Sequence, residues 1–402
     1  PGYGFPAENP DFSAACEKAG ITFIGPPPAV IRDLGNKVVA RQIMEKAKIP
    51  FVPGTGTLEA GEAGIRQALE FGKKAGYPIM LKASLGGGGR GIRKVENESD
   101  LLMQLPVART EAKSAFNDDS IYVEKCIEAP RHVEVQILAD THGNVIHLGT
   151  RDCSIQRRHQ KLLEIAPADL PKDVLDRMYE AAIAAARGSN YVNAGTVEFL
   201  VDSQTNDFWF MEVNTRLQVE HTVTEELTGV DIVRQQIRIA QGEAIDIPAE
   251  RVHMMGKAVQ VRINAEDPKN NFMPEGGKAV EVYHSPGGPG IRLDGLVYQG
   301  YKIPTEYDSL MVKLTCRGYD WNEPIDRLKR ALLGFNIVGP KTTIPFYLAI
   351  CDEPDFRAGR FDTGYIETHP DIFGYPETER EVAKLAKLIA EIHVKKINPY
   401  AY

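Results

Sequence analysis

The sequence predicts a mixed fold, α/β over its first 50 residues and α+β beyond them, built around one large antiparallel sheet. Three observations carry that reading. Residues 132–137, 145–150, 196–201, 208–221 (alternating from Glu212 onward) and 258–264 carry polar groups on one face, the period-two pattern of strands with one face in a core. Residues 62–124 run helix, strand, glycine loop, strand, helix, strand, a small unit of their own. The first 30 residues hold a single helix-to-strand step, a fragment of an open α/β layer.

Taken in order, residues 1–10 are rich in Gly and Pro and read as a loop, and 12–19 read as a short helix with Asp11 as its N-cap. Residues 21–24 read as a brief buried strand, closed by the stiff connector Pro26, Pro27, Pro28. Helical spacing covers 29–48, with Lys37 near its middle. Gly, Pro and Thr concentrate over 51–61 and mark a domain boundary. A helix at 62–75, a strand at 78–82, glycines at 86–91, a strand at 92–95, a helix at 99–116 and a strand at 121–124 follow. The alternating strands come next, with helices at 172–188 and 232–241 to cover their apolar face. Residues 276–314 read as further strands and Gly/Pro turns, 322–333 as a helix, and 377–393 as a charged helix. The predicted divisions are 1–50, 51–126, 127–368 and a helical tail, 369–402.

Composition bounds the function. Apolar residues make up 43% and charged residues 25% of 402, which supports a sizeable core in two or three domains. A net charge of −8 without a basic block excludes a nucleic-acid footprint, so any anionic ligand must be held by local charges. Five scattered cysteines, an odd number with no close pair, suit neither a disulfide framework nor a zinc site; the expectation is a reducing interior, cytoplasmic or an organelle matrix. No apolar run approaches the ~18 residues of a membrane span. The chain begins at Pro1 without Met, inside a Gly/Pro turn, which predicts residues upstream.

The stretch 208–221 carries the most chemistry. On an extended chain Glu212, Asn214, Arg216, Gln218 and Glu220 share one face, and Met211, Val213, Leu217 and Val219 the other. Two carboxylates, two amides and a guanidinium, directly after Phe208, Trp209 and Phe210, imply burial, and buried charges must be paired or bind something. Glu212 and Asn214, with Glu198 on the next strand, form an all-oxygen set that suits Mg²⁺ or Mn²⁺, unless neighbouring arginines neutralise the carboxylates. The glycines at 86–91 match neither a Rossmann turn, since 92–95 looks extended, nor a Walker A loop. They form either a plain turn or a lid whose backbone N–H groups close over phosphate oxygens. Lys82, four residues earlier, either snorkels to water or places a point charge on the same phosphates. Residues 151–161, with three arginines, His159 and Lys161, read as a basic loop, either solvated or bound to a small anion.

Together these stretches resemble the biotin carboxylase members of the ATP-grasp superfamily. The motifs that carry the resemblance are Pro1-Gly-Tyr-Gly-Phe, Lys82-Ala-Ser with its glycine loop, Glu124-Lys125, Pro130-Arg-His-Val-Glu134, the run from Arg151 to Lys161, the run from Glu212 to His221, and Arg262-Ile-Asn-Ala-Glu-Asp267. They span residues 1–368 in the family's order. The resemblance implies an ATP-grasp fold with a partial N-terminal domain and a small lid subdomain. It implies a ligase that carboxylates biotin with bicarbonate at the expense of ATP. Carried over residue by residue, Lys37, Lys82, Gly88, Gly89, Gln156 and His159 resemble ATP phosphate or ribose contacts. Glu124, Lys125 and Ile127 resemble the adenine hinge, with His132 near the ribose. Glu198, Glu212 and Asn214 resemble the Mg²⁺ ligands, and Glu198 and Glu212 are also among the ATP-binding residues. Lys161, Arg216, Gln218 and Val219 resemble the bicarbonate cradle, Glu220 the base beside Arg216, and Arg292 the arginine facing the biotin ureido oxygen, with Tyr3 and Gly4 at the edge of that site.

The family normally carries further strands ahead of the first motif, and no Met-Lys-Met biotinylation motif or carboxyltransferase segment occurs here. The implied partners are therefore a separate biotin carboxyl carrier and a carboxyltransferase, in a homodimer or larger complex of an acyl-CoA or pyruvate carboxylase. Two other readings stand beside this one: another ATP-grasp ligase working through an acyl or carbamoyl phosphate, and a scaffold subunit without activity.

Overall fold

The structure, a computed structural model, describes residues 2–4, 6–84, 91–158, 160–248 and 252–375. Three helices open the chain, α1 (Pro10–Lys18), α2 (Pro28–Gly35) and α3 (Lys37–Lys46). The cap of α1 is Asn9 rather than Asp11: its side chain accepts from the N–H groups of Asp11 and Phe12 at 2.9 and 3.0 Å, with Pro10 at the first helical position. The strand expected at 21–24 does not form. Ile21 and Ile24 are exposed, and among the described residues no strand lies beside them to take their backbone groups. The single helix expected over 29–48 is two, because Asn36 turns extended and then caps α3 by accepting the Val39 N–H.

The small unit consists of α4 (Gly61–Ala75), β1 (Ile79–Ala83), β2 (Ile92–Val95), α5 (Glu98–Phe116) and β3 (Ile121–Lys125), with strand order β2-β1-β3. Ile79, Leu81, Val95, Ile121 and Val123 meet Leu101, Leu105 and Ala108 in a core of its own. Burying one such Leu or Val contributes about 1.5–3 kcal/mol. Gly91 closes this hairpin at φ +73°, and a Cβ there would sit 2.8 Å from that of Ala83, so only glycine fits. The glycines before it, including Gly88 and Gly89, lie outside the described residues.

The connector at 51–54 is stitched to both sheets, since Phe51 bridges to Phe210 and Gly54 to Glu124. Beyond it lies the large sheet. Its strands are β4 (Arg131–Ala139), β5 (Val145–Arg157), β6 (Gln160–Ala166), β7 (Asn193–Val201), β8 (Phe208–Asn214) and β9 (Lys257–Asn264), completed by two later strands. After the short pair β10 (Glu266–Asp267) and β11 (Met273–Pro274) come β12 (Val282–His284), β13 (Ile291–Gly295), β14 (Leu310–Gly318) and β15 (Asn336–Val338). The eight-stranded order is β13-β14-β9-β6-β5-β4-β7-β8, antiparallel throughout. Helix α6 (Lys172–Gly188) packs its Met178, Ala182 and Ala185 stripe on Val133, Val135, Val197 and Phe199, the small alanines allowing close approach. Helices α7 (His221–Thr228) and α8 (Ile232–Ala240) follow β8, and α9 (Asn322–Gly334) and α10 (Ile344–Asp352) cover β9 and β14 over the second core. Short helices α11 (Pro354–Arg357) and α12 (Tyr365–Thr368), then a single 3-10 turn (Pro370–Phe373), end the described chain. The helix expected at 377–393 lies outside the described residues. Among those residues no helix is long and apolar enough to cross a membrane.

Two further expectations are corrected. Residues 151–161 are not a loop but the end of β5 and the start of β6, a hairpin that turns at Arg158 with φ +48°. The alternating stretch 208–221 is a strand only to Asn214. Met211 is the extra residue of a β-bulge, and 215–220 turn into the start of α7, so Arg216, Gln218 and Glu220 do not share a strand face with Glu212.

Candidate active site

Strand register sets carboxylates side by side. Arg151 on β5 opposes Glu134 on β4, Glu134 opposes Glu198 on β7, and Glu198 opposes Glu212 on β8. Like charges directly opposite destabilise a sheet, so this row stands only with cations placed against it. Two side chains supply them. Arg151, wholly buried, bonds Glu134 through Nε and reaches Gln136 at 2.7 Å, Thr224 at 3.0 Å and Thr196 at 3.1 Å. Lys161 is the hub: its Nζ lies 2.5 Å from Glu134, 2.7 Å from Glu198, 2.9 Å from Gln218 and 2.8 Å from Glu220. Burial works against its charge, but the three carboxylates outweigh that and hold its pKa well above the usual value.

The row divides by environment. For Glu198 burial opposes ionisation, yet Lys161 and His132 (Nε2 to Oε2, 2.9 Å) hold its pKa well below the ordinary range, and Gln218 donates to it at 3.1 Å. Burial also pulls His132 down, and Glu198 more than compensates. Glu212 is the opposite case. Among the described residues it is in no ion pair, and desolvation followed by repulsion from Glu198 raises its pKa. Beside it the buried Asn214 Nδ2 has no hydrogen-bond partner, while Oδ1 receives only a 3.4 Å contact from Arg216. The amide oxygen and nitrogen are told apart only by their partners, so the turned amide offers an oxygen there. Two opposed carboxylates and an orphan amide fit a hard divalent cation with oxygen ligands, the group expected from the sequence.

Glu220 ends the turn and starts α7. Its Oε1 is 2.8 Å from Lys161 and its Oε2 is 3.1 Å from Arg262. Burial pushes its pKa up, but Lys161, Arg262 and Arg151 together hold it well below the usual value, so the carboxylate is ionised throughout the neutral range. The structure does not set Glu220 against Arg216. Arg216 turns toward the N-terminal segment, where its Nε is 2.9 Å from Glu8, which also accepts the Thr215 N–H at 3.0 Å. The turn after Asn214 sends the side chain that way. Arg262, in β9, takes the place beside Glu220 and is buttressed by Glu164 at 2.6 Å. In the sequence Arg262 stands in a family motif and alternates with Gln260 and Asn264 on the predicted strand 258–264, which puts it on the polar face without giving it a partner.

The remaining candidates fall in three places. Lys82 on β1 is paired with Glu124 on β3 at 2.5 Å, and Lys37, exposed at the start of α3, lies within electrostatic reach of Glu212, Lys82 and Glu124. Desolvation lowers the Lys37 pKa, while Glu212 pulls it up. The structure therefore gathers Lys37, Lys82, Glu124 and Glu212 where the small sheet meets β8. Lys125 donates its N–H to Pro53 and its amine to the Gly76 carbonyl, with Ile127 just beyond the end of β3. Gln156 pairs with Lys161 across the β5–β6 hairpin, and His159 lies outside the described residues. Tyr3 stands over Lys313, 5.4 Å from ring centre to amine, with Gly4 beside it. Arg292 is held by Asp294 at 2.9 Å and Glu225 at 2.7 Å and lines a groove of about 1070 Å³ along α8; among the described residues it makes no ion pair with Glu220.

His221, next to Glu220, gives a pH prediction. Its Nδ1 faces the Gln218 carbonyl at 2.8 Å, and burial, followed by Lys313, lowers its pKa to about 4. A histidine depressed in the fold contributes stability that is fully present above the unfolded pKa near 6.5 and is lost as pH falls toward 4, up to about 3 kcal/mol. Replacing it, His221→Gln, should flatten the decline of urea stability between pH 6.5 and 4; an unchanged slope would refute the assignment.

Comparison with known proteins agrees with this geometry. Residues 36–247 match the ATP-binding domain of the carbamoyl-phosphate synthase L chain, which defines the class as an ATP-grasp ligase domain. Residues 1–31 match the biotin carboxylase N-terminal domain and 260–368 its C-terminal domain. The chain belongs to the biotin carboxylase family. It is 46% identical over 376 residues to biotin carboxylase 1 of Bacillus subtilis, covering 93% of this chain and 82% of that one. Pyruvate carboxylase of the same organism is 47% identical over 98% of this chain, which spans 34% of that relative's length. Among solved structures, the biotin carboxylase domain dimer of Hydrogenobacter thermophilus 2-oxoglutarate carboxylase, in complex with MgADP, ADP and bicarbonate, superposes with a TM-score of 0.87 at 46% identity, over 94% of this chain and 82% of that chain. A Campylobacter jejuni biotin carboxylase in complex with β-γ-ATP gives 0.86 at 44% identity, over 92% and 81%.

Proposed function

We propose that the protein is the ATP-using component of a biotin-dependent carboxylase, carboxylating biotin carried on a separate segment or chain that a carboxyltransferase then discharges. One observation carries the reading: a single ammonium, Lys161, joins the opposed carboxylates of the metal-type set, through Glu198, to the ionised Glu220. Glu198, Glu212 and Asn214 would hold Mg²⁺, which when bound draws charge from phosphate oxygens. Lys37 and Lys82 would hold the phosphates and Glu124, Lys125 and Ile127 the adenine. Bicarbonate would sit against Lys161, Arg216, Gln218 and Val219; taking a share of Lys161, it would weaken that cation's hold on Glu220 and raise the basicity of the carboxylate.

The steps balance. Glu220 takes the bicarbonate proton while a bicarbonate oxygen bonds the γ-phosphorus and the bond from that phosphorus to the bridging oxygen breaks, giving ADP and carboxyphosphate. The carboxyphosphate C–O bond then breaks with its electrons on phosphate, releasing CO₂. Phosphate takes the ureido N–H proton, and the nitrogen pair closes on the carbon. Arg262, rather than Arg292, is the arginine assigned to the ureido oxygen, because it lies 3.1 Å from Glu220, whereas Arg292 makes no ion pair with Glu220 among the described residues.

The test is ATP hydrolysis that requires Mg²⁺ and bicarbonate and rises with free biotin; hydrolysis indifferent to biotin would overturn the reading in favour of another ATP-grasp ligase. Within the same assay Glu212→Gln should raise the Mg²⁺ concentration needed for half-maximal rate at least tenfold. A wild-type metal dependence would refute the ligand assignment.

A further inference from the structure

Lys313 on β14 is 3% exposed, yet among the described residues it belongs to no ion pair. Both charged neighbours in its cross-strand row are committed elsewhere. Asp294, opposite it on β13, is held by one edge of the Arg292 guanidinium, Nε and Nη2, at 2.9 and 3.0 Å, and Arg262, opposite it on β9, is bound to Glu164 and Glu220. One ammonium N–H donates to the Val219 carbonyl at 3.1 Å, and the Tyr3 ring lies 5.4 Å away. An ammonium has three donors, so two remain without a hydrogen-bond partner among the described residues. Desolvation lowers its pKa, outweighing the pull of Asp294, Glu225 and Glu164, none of which is in ion-pair contact with it. A desolvated, under-paired cation is costly unless an anion completes it.

We infer that Lys313 is a second cationic binding residue for the carboxyl acceptor, its two unused N–H donors facing the anionic oxygen that develops on the ureido ring of biotin between Tyr3 and Arg262. This rests on the function proposed above. The row Asp294, Lys313, Arg262 places it one strand from Arg262, so the two cations flank one oxygen from neighbouring strands, while Tyr3, half exposed, borders the approach from solvent. The bond to Val219 offers a competing role, in which Lys313 merely fixes the turn that carries Val219 and Glu220.

Two variants separate the roles in the full chain, with free biotin as probe. Lys313→Gln removes the charge but keeps an N–H for the Val219 carbonyl; Lys313→Met removes both. The expected result is that both raise KM for biotin at least tenfold while KM for ATP moves less than twofold. A Gln variant with wild-type KM for biotin overturns the inference, whatever the Met variant does, and so does a parallel rise in both KM values, which is the signature of a displaced turn. Absence of biotin stimulation in the unmodified protein would instead overturn the proposed function, and the inference with it.

Discussion

Glu220→Gln lowers bicarbonate-dependent ATP turnover by about 10²–10⁴-fold, the usual contribution of a positioned general base, and leaves the affinity for an ATP analogue within twofold. Geometry makes the substitution selective. The oxygen of the introduced amide can still accept from Lys161, and Lys161 keeps Glu134, Glu198 and Gln218, so no buried cation is orphaned. The amide places a donor against Arg262, but Arg262 retains Glu164 at 2.6 Å. The variant should therefore fold normally and bind nucleotide, whose proposed contacts, Lys37, Lys82 and the end of β3, do not include Glu220. Turnover within threefold of the unmodified protein would sink the mechanism. In the unliganded protein the Glu220 pKa is held well below the ordinary carboxylate range, so Glu220 is ionised throughout the neutral range and a fall in kcat/KM near neutrality comes from another group.

The parts of this site that were legible in the sequence are those fixed by strand period. Glu198, Glu212 and Asn214 were placed together because alternate residues on adjacent strands share a face, and the register of β7 and β8 sets Glu198 against Glu212. The pattern failed where the chain leaves the sheet. Alternation continues to Glu220 in the letters, but a bulge at Met211 and the turn after Asn214 send Arg216 to Glu8 and Glu220 to Lys161, and a period-two pattern contains neither event. The run 151–161, with three arginines, His159 and Lys161, read as a basic loop. Arg151 is buried because its counter-charge, Glu134, comes from a strand 17 residues away, a pairing that only tertiary register creates. The start of the chain failed for a related reason: Ile21 and Ile24 have strand composition, and a strand exists only beside a partner. Composition and motif order reached the family, while the local sequence reached no cross-strand partner.

Arg151→Met should be the most destabilising single change in the large sheet, costing about 3–5 kcal/mol by urea unfolding. The guanidinium is wholly buried and satisfies Glu134, Gln136, Thr224 and Thr196 at once, spanning β4, β5, β7 and α7. Methionine fills much of the volume but leaves four acceptors unmet and Glu134 dependent on Lys161 alone. Lys161 would then be drawn toward Glu134 and away from Glu220, so the loss of stability should come with a fall in bicarbonate-dependent rate although Arg151 touches no substrate. The exposed pair Lys172 and Asp176 is the control: breaking it with Lys172→Ala should cost no more than about 0.5 kcal/mol, since water already screens both groups. Adding Glu134→Leu to Arg151→Met tests the electrostatic origin of the effect, because removing the stranded carboxylate should recover part of the stability without restoring the rate. A loss below about 1 kcal/mol in the single variant would mean that the buried row is held by packing rather than by its charges.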